Sequence, residues 1–379
     1  MGRFKTLRVC PPARPLQACS LHCGRFSSHA GSLRRGRLSS YAGSLHCARF
    51  CQDGRAASMR ALVTGVTGFI GSHVARALGV HGWEVRALVR PGANGHRRAE
   101  IPSGVEVAWG DVRDAGAVAK ALEGCQALFH VAAAYHLWSP DPAHFYDVNV
   151  RGTRTMLEAS KQAGLERVVY TSSVATVKPG GDERAFADPE LVHSHYKRSK
   201  ILAERVAFEY PNVVVVNPST PIGAGDVRPT PTGKVLLDFL RGRIPAYVDT
   251  GLNLVDVEDV AEGHVLAYEK GVPGERYILG NENVTLRAML ETLAAESGRK
   301  PPRIKLPMPV AYAAGAVSEL VEGRLAKRTP TVPLDGVRMA GVPMFYDSTR
   351  ARRELGLPQT PIPVALRKAA AWFETHGYC

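Results

Sequence analysis

Cysteine is nearly missing from most of this chain. Of seven cysteines in 379 residues, Cys10, Cys19, Cys23, Cys47 and Cys51 fall within the first 58, leaving only Cys125 and Cys379 beyond. Two are too few for a disulfide framework and fit a reducing cytoplasm. No run of about 18 apolar residues occurs, so no segment reads as a bilayer span. Acidic residues are also scarce, but only locally. Residues 1–58 hold ten Lys and Arg against Asp53 alone, a net of +9 out of the chain's +13. The remainder carries about +4, which removes the main support for a nucleic-acid or membrane partner.

Those first 58 residues contain a degenerate repeat that begins at Ser20, Ser32 and Ser44. Rich in Ser, Arg and Gly, it offers too little apolar area to offset chain entropy and reads as disordered. Cys19/Cys23 and Cys47/Cys51 beside His22 and His46 lack a diagnostic ligand spacing, so no metal is expected. An acid-poor, Arg- and Ser-rich leader also fits an organellar transit peptide. The preferred expectation is that the functional protein starts at Met59, directly before the first core strand.

Residues 61–78 are the most informative stretch. An apolar run ends in a turn with Gly65, Gly68 and Gly71, then passes into a helical pattern with Ile70, Val74, Ala77 and Leu78 on one face. Gly65 suits the tight turn, Gly68 lets a diphosphate approach the backbone, and Gly71 lets helix and strand pack closely. The helix start then offers free N–H groups to phosphate. From Met59 onward strands and helices alternate, which predicts a doubly wound, parallel α/β sheet of Rossmann type. Strands are expected at 60–64, 84–89, 105–109, 127–131, 167–172, 213–217 and 277–279, and helices at 69–80, 115–123, 143–163 and 194–209. Residues 59–220 and 253–285 are assigned to the dinucleotide domain, and 221–252 and 286–379 to a smaller substrate lobe.

Tyr196 and Lys200 lie one helical turn apart and share a face. An ammonium there would lower the phenol's pKa and let it exchange a proton with a substrate hydroxyl. Ser172 and Ser173 close a strand at the same sheet edge, where either hydroxyl can bond the reacting oxygen. Glycine loop, serine and Tyr-x-x-x-Lys in that order, about 100 and then 20 to 30 residues apart, do not coincide by chance.

Two look-alikes fail. Gly223 to Lys234 resembles a nucleoside-triphosphate loop, but Arg228 occupies the first glycine position and Val235 the Mg²⁺-binding hydroxyl position. His193 and His195 lack a third ligand at metal spacing and read as polar residues at a helix start.

Thr-Gly-x-x-Gly-Phe-Ile-Gly at 64–71, Gly110-Asp111-Val112, His130 to Ala133, Asn149 to Thr153, Ser172-Ser173, Tyr196/Lys200 and Asn217-Pro218-Ser219 together resemble the extended short-chain dehydrogenase/reductase family. The resemblance covers essentially all of 59–379. It is strongest to hopanoid-associated sugar epimerases, through 218–223, 229–233 and 246–253, with dihydroflavonol-4-reductase-like enzymes next. It implies Tyr196 as acid/base, Lys200 as its tuner and a ribose contact, and Ser173 or Ser172 as the substrate-orienting hydroxyl. It further implies Gly65, Gly68, Phe69, Ile70 and Gly71 at the cofactor diphosphate, and Asp111 and Val112 at the adenine. Ala132 and Ala133 would line the cleft, Pro218 and Ser219 would pack near the nicotinamide, and Asn149 would brace the sheet edge. A homodimer through helices 143–163 and 194–209 is implied as well.

The expected second strand ends in Arg90, with Arg97 and Arg98 following and no acid until Glu100. An acid there favours NAD, whereas Arg90 is suited to a 2′-phosphate, so NADP is favoured over NAD. Epimerases of the family recycle NAD and reductases consume NADPH, so both activities stay open. A non-catalytic dinucleotide sensor is the third alternative, disfavoured because Tyr196 and Lys200 are both present. A small molecule, a sugar or nucleotide-sugar, is the expected substrate. Tyr135, His136, Leu137 and Trp138 could stack on it, while Arg241 and Arg243 could pair with a diphosphate.

Overall fold

The computed structural model describes residues 58–92, 99–136 and 138–379. The leader repeat with its five cysteines, Arg97, Arg98 and Leu137 lie outside the described residues. In chain order the first strands are β1 (Arg60–Thr64), β2 (Glu84–Val89), β3 (Glu106–Trp109), β4 (Ala127–His130), β5 (Arg167–Thr171) and β6 (Val213–Pro218). They are followed by β7 (Thr220–Ile222), β8 (Ala246–Val248), β9 (Gly251–Asp256), β10 (Arg276–Leu279), β11 (Glu282–Thr285) and β12 (Ile304–Leu306). The helices begin with α1 (Phe69–Val80), α2 (Ala115–Leu122), α3 (Ala143–Tyr146), α4 (Gly152–Gln162), α5 (His195–Ala207) and α6 (Pro231–Leu240). The rest are α7 (Val257–Lys270), α8 (Leu286–Ser297), α9 (Met308–Ser318), α10 (Leu334–Ala340), α11 (Thr349–Glu354) and α12 (Ile362–Thr375).

Seven strands form one parallel sheet in the order β10-β6-β5-β4-β1-β2-β3. The chain winds outward from β1 through β2 to β3, then returns to place β4 on the other side of β1. This is the Rossmann arrangement, and its ligand crevice opens between β1 and β4 at their carboxyl ends. Alternation along β1 sorts the core: Val63 faces a cluster with Val74, Leu78, Val260 and Val265, while Leu62 faces Leu128, Met156 and Val206. Helices α1 and α7 supply the first face, and α4 and α5 the second. The buried Val213–Val216 run in β6 is what a strand covered on both faces requires. A third cluster, including Leu236, Leu240, Leu254, Leu290, Leu366 and Phe373, unites α6, α8, α12 and β9.

Local signals account for several helix starts. Asp114 accepts from the Gly116 and Ala117 N–H groups to open α2, and Thr285 accepts from Ala288 N–H to open α8. Helix α8 stops at Gly298, whose φ of +68° suits glycine.

One expectation is corrected. The helix expected at 143–163 is interrupted by a π-helical turn, Asp147–Arg151, between α3 and α4. That turn directs Asn149 inward, where its side chain accepts from Ala134 N–H at 2.7 Å and donates to Ser199 Oγ at 2.9 Å. The apolar stretch 252–267 divides into most of β9 and the first part of α7, with Asp256 capping α7 through Glu258 N–H. Its strand pairs with β7 and β11 rather than with the main sheet.

Candidate active site

The glycine loop leaves no room for side chains at two positions. Gly65 has φ +77°, and a Cβ there would lie 2.9 Å from the Ala132 nitrogen. A Cβ on Gly71 would lie 2.2 Å from the Gly65 carbonyl oxygen, so α1 seats directly on the turn. Gly68 caps α1 with no side-chain hydrogen bond and no acid follows in the first turn. The positive end of α1 is therefore unneutralised by its own residues. Phe69 packs edge-on against His73 at 5.7 Å between ring centres, and Ile70 is half-buried against the core. Burial lowers the pKa of His73, whose Nε2 lies 2.9 Å from the Ala224 carbonyl and ties α1 to the segment after β7.

Thr64 joins the loop to β4. Its Oγ1 accepts from the N–H groups of Val131 and Ala132, both at 3.0 Å, leaving its proton for His130 Nδ1 at 2.9 Å. Burial lowers the His130 pKa to about 3, so the ring is neutral and its Nε2–H faces Thr153 Oγ1 at 3.2 Å. Ala132 is half-buried and Ala133 exposed at the mouth of this crevice.

Tyr196 and Lys200 occupy one face of α5, yet the ammonium has other partners. Lys200 Nζ donates to the Thr171 carbonyl at 2.8 Å and to the Tyr170 hydroxyl at 3.3 Å. Burial lowers its pKa to about 8, opposed by the charge of Glu204. The Tyr196 phenol is pushed up to about 12 by burial, with a Ser173 hydrogen bond lowering it. Spacing alone suggested the ammonium as the phenol's main tuner; here the serine is the neighbour that lowers it. Ser173 also accepts from Ala175 N–H at 3.1 Å, capping a short turn. The buried Ser172 Oγ has no hydrogen-bond partner.

Behind the serine lies a network that motif reading missed. Asn217 Nδ2 donates to the Ser173 carbonyl at 3.1 Å and to Glu204 Oε2 at 2.7 Å. Thr176 Oγ1 donates to the same carboxylate oxygen at 2.8 Å. Glu204 pairs with Arg276 across α5 and β10. No local spacing announces these contacts.

At the far end of the crevice Asp111 is held by Arg113, whose Nε and Nη2 reach its two oxygens at 2.8 and 2.9 Å. That pairing, with a smaller contribution from Arg90, lowers the Asp111 pKa. Val112 is half-buried against Gly152, where an added Cβ would sit 2.9 Å from its Cγ2. Arg90 is exposed at the end of β2. Pro218 ends β6, and Ser219 Oγ is buried without a partner. Two unpartnered hydroxyls, an uncapped helix start and a glycine cradle are what a dinucleotide-binding crevice requires.

Aromatic rings flank the phenol: Tyr135 at 4.9 Å and Phe145 at 6.4 Å from Tyr196, centre to centre. Trp138 packs beside Gly323. Asp226 was also missed; it is buried, accepts twice from Thr230 through Oδ2 at 2.8 Å, and leaves Oδ1 unpartnered. Arg241 donates to the Tyr378 carbonyl. Arg243 edges a separate cavity of about 270 Å³ lined by Ile244, Tyr247, Leu290 and Leu306. His195 Nδ1 lies 3.0 Å from the Tyr146 hydroxyl, tying α5 to α3.

Comparison with known proteins places this crevice in context. Residues 61–280 match the model of the NAD dependent epimerase/dehydratase family. The chain is 44% identical over 329 residues to a protein of Synechocystis sp. named putative dihydroflavonol 4-reductase, covering 83% of this chain and 95% of that one. It is 35% identical to sterol demethylase protein B of Methylococcus capsulatus, covering 84% and 99% respectively. Among solved structures, a nucleoside-diphosphate-sugar epimerase from Pseudomonas aeruginosa superposes with a TM-score of 0.69 at 26% identity, covering 85% of this chain and 99% of that one.

Proposed function

We propose that this chain, which belongs to the NAD dependent epimerase/dehydratase family, is an NADP(H)-dependent oxidoreductase that interconverts a ketone and a secondary alcohol on a largely apolar substrate. The observation that carries this reading is the packing of Tyr196 against Ala134, just after β4 and next to the glycine-loop crevice, with Ser173 acting to lower the phenol's pKa. Bound pyridine nucleotide supplies or accepts the hydride. Gly65, Gly68, Phe69, Ile70 and Gly71 would hold its diphosphate, Asp111 and Val112 its adenine, and Lys200 a ribose. Ala132 and Ala133 would line the cleft, with Pro218 and Ser219 on the nicotinamide side. Residues 59–220 and 253–285 would form this cofactor half, and 221–252 with 286–379 the substrate half.

In reduction, Ser173 orients the substrate oxygen and Tyr196 gives it a proton; in oxidation, Tyr196 takes that proton back. Lys200 is largely protonated below about pH 8, so its charge favours the phenolate left behind. Tyr135 and Phe145 offer an aromatic wall beside Tyr196 suited to a flat or apolar substrate. Arg90, in a strand end without an acid, supports NADP over NAD. The reductase and sterol-related names of two relatives agree with this choice. We further assign a cytoplasmic homodimer built through α3–α4 and α5.

The family description and the Pseudomonas structure favour a second reading, a hopanoid-linked sugar or nucleotide-sugar epimerase that recycles its dinucleotide. Incubating the full chain with NADPH and a panel of lipophilic ketones separates the readings. Stoichiometric loss of NADPH with alcohol formation is expected. Interconversion of nucleotide sugars without net dinucleotide consumption would establish the epimerase instead. Dinucleotide binding with no turnover of either class would refute both.

A further inference from the structure

We propose that the outward face of residues 308–325 docks this protein on an anionic lipid surface. Helix α9 contains no charged residue, and it runs directly into a π-helical segment, Glu319–Leu325. Along the pair, Val310, Val317, Leu320, Val321 and Leu325 recur at helical spacing and are 47% to 74% exposed. The inner contact is narrow. Gly315 faces Leu334 and Val337 of α10, and Gly323 faces Pro330 and Trp138. Glycines bring the helix close to the body and leave its larger apolar side chains pointing outward.

Charge identifies the occupant. Arg299, Lys300, Arg303 and Lys305 precede the apolar run, and Arg324, Lys327 and Arg328 end it, against only Glu319 and Glu322. That net of +5 exceeds the roughly +4 of all residues beyond 58, so averaging over the body conceals a local basic rim. Lys305 and Arg328 have ion-pair partners, whereas Arg299, Lys300, Arg303, Arg324 and Lys327 have none among the described residues. An uncharged helix bordered by Lys and Arg matches a bilayer interface, with apolar groups entering the acyl boundary and cations meeting anionic headgroups. A second copy docking through the same face would bring two basic rims together, which like-charge repulsion opposes. No helix among the described residues is long and apolar enough to cross a membrane, so the contact is peripheral. Gly323 packs on Trp138, which follows Tyr135 by three residues in the chain, so the docked surface reaches the segment that carries the ring packed on Tyr196. A lipophilic substrate would then enter from the lipid side.

The test is co-sedimentation of the full chain with phosphatidylcholine vesicles, with and without phosphatidylglycerol, at low and high salt. The chain should pellet with the anionic vesicles, and salt should weaken binding. The double variant Val317→Asp/Leu320→Asp and the pair Arg303→Glu/Lys327→Glu should each lose about tenfold in partitioning. Dinucleotide binding and the circular dichroism spectrum should stay unchanged. Failure of the wild-type chain to pellet would overturn the proposal. So would full retention by Val317→Asp/Leu320→Asp, which would assign binding to the basic leader. Conversion of a dimer to a monomer by that double variant would show that a second copy covers the face, and would overturn it equally. Each result is independent of whether the enzyme proves to be a reductase or an epimerase.

Discussion

Glu204 and Arg276 form an ion pair at 2.6 Å with both side chains at most 3% exposed, linking α5 to the edge strand β10. The same carboxylate accepts from Asn217 and Thr176, and Asn217 holds the carbonyl of Ser173. Arg276 also stacks on Phe186 at 3.6 Å. The pair thus supports the loop that carries Ser173, the hydroxyl proposed to orient the substrate. Replacing Glu204 with Gln strands a buried guanidinium. We expect a loss of about 3–5 kcal/mol, read as a lower denaturant midpoint in equilibrium unfolding.

Tyr196→Phe keeps the ring that packs on Tyr135 and Phe145 but removes the proton. Turnover should fall by about 10²- to 10⁴-fold, while dinucleotide affinity measured by calorimetry stays near wild type. A variant retaining more than a tenth of wild-type turnover would remove Tyr196 from the acid/base role.

Arg90→Glu places an acid at the end of β2, where it would accept a ribose 2′-hydroxyl and repel a 2′-phosphate. One charge-assisted hydrogen bond is worth about 1.5–3 kcal/mol, so the NADPH-to-NADH preference should fall by roughly ten- to 150-fold. Paired titrations with the two dinucleotides measure that ratio directly. An unchanged ratio would show that Arg90 does not read the 2′ position.

The spacing of the glycine loop and of Tyr196 with Lys200 was legible because each lies within one turn or one helix. The parallel sheet was legible for a similar reason, since buried apolar runs alternate with amphipathic helices. What Lys200 touches was not legible: Tyr170 and Thr171 arrive from β5, which only the assembled sheet brings to α5. Glu204 and Arg276 are likewise 72 residues apart in the chain, on α5 and β10. The third core formed by α6, α8 and α12 was not legible because these helices lie far apart in the chain and their apolar faces meet only in the assembled lobe. Whole-body charge also hid the rim around α9, because sums discard position.

Burial pushes the Asp226 carboxyl up from its ordinary 3.8 to about 6. The native state therefore binds this proton more tightly than the unfolded chain does. Between about pH 4 and pH 6 the folded protein holds more protons, so rising pH lowers stability across that window and the penalty persists above it. Asp226→Asn cannot ionise. Comparing urea unfolding at pH 4 and pH 7, the difference between variant and wild type should move by about 2 kcal/mol in favour of the variant. A pH-independent difference would place the carboxyl in a more polar setting than its surroundings indicate.

The π-helical turn at Asp147–Arg151 has a consequence for how this chain tolerates change in length. It inserts one extra residue into a helical circuit, so α3 and α4 present their faces out of phase, with Asn149 clasping Ala134 and Ser199 at the seam. A single deletion there would restore an ordinary helix and swing that amide toward solvent. The loop after β4 and helix α5, which carries Tyr196, would then lose their shared latch. Indels should accordingly be far better tolerated at the exposed far end of α4 than at this bulge.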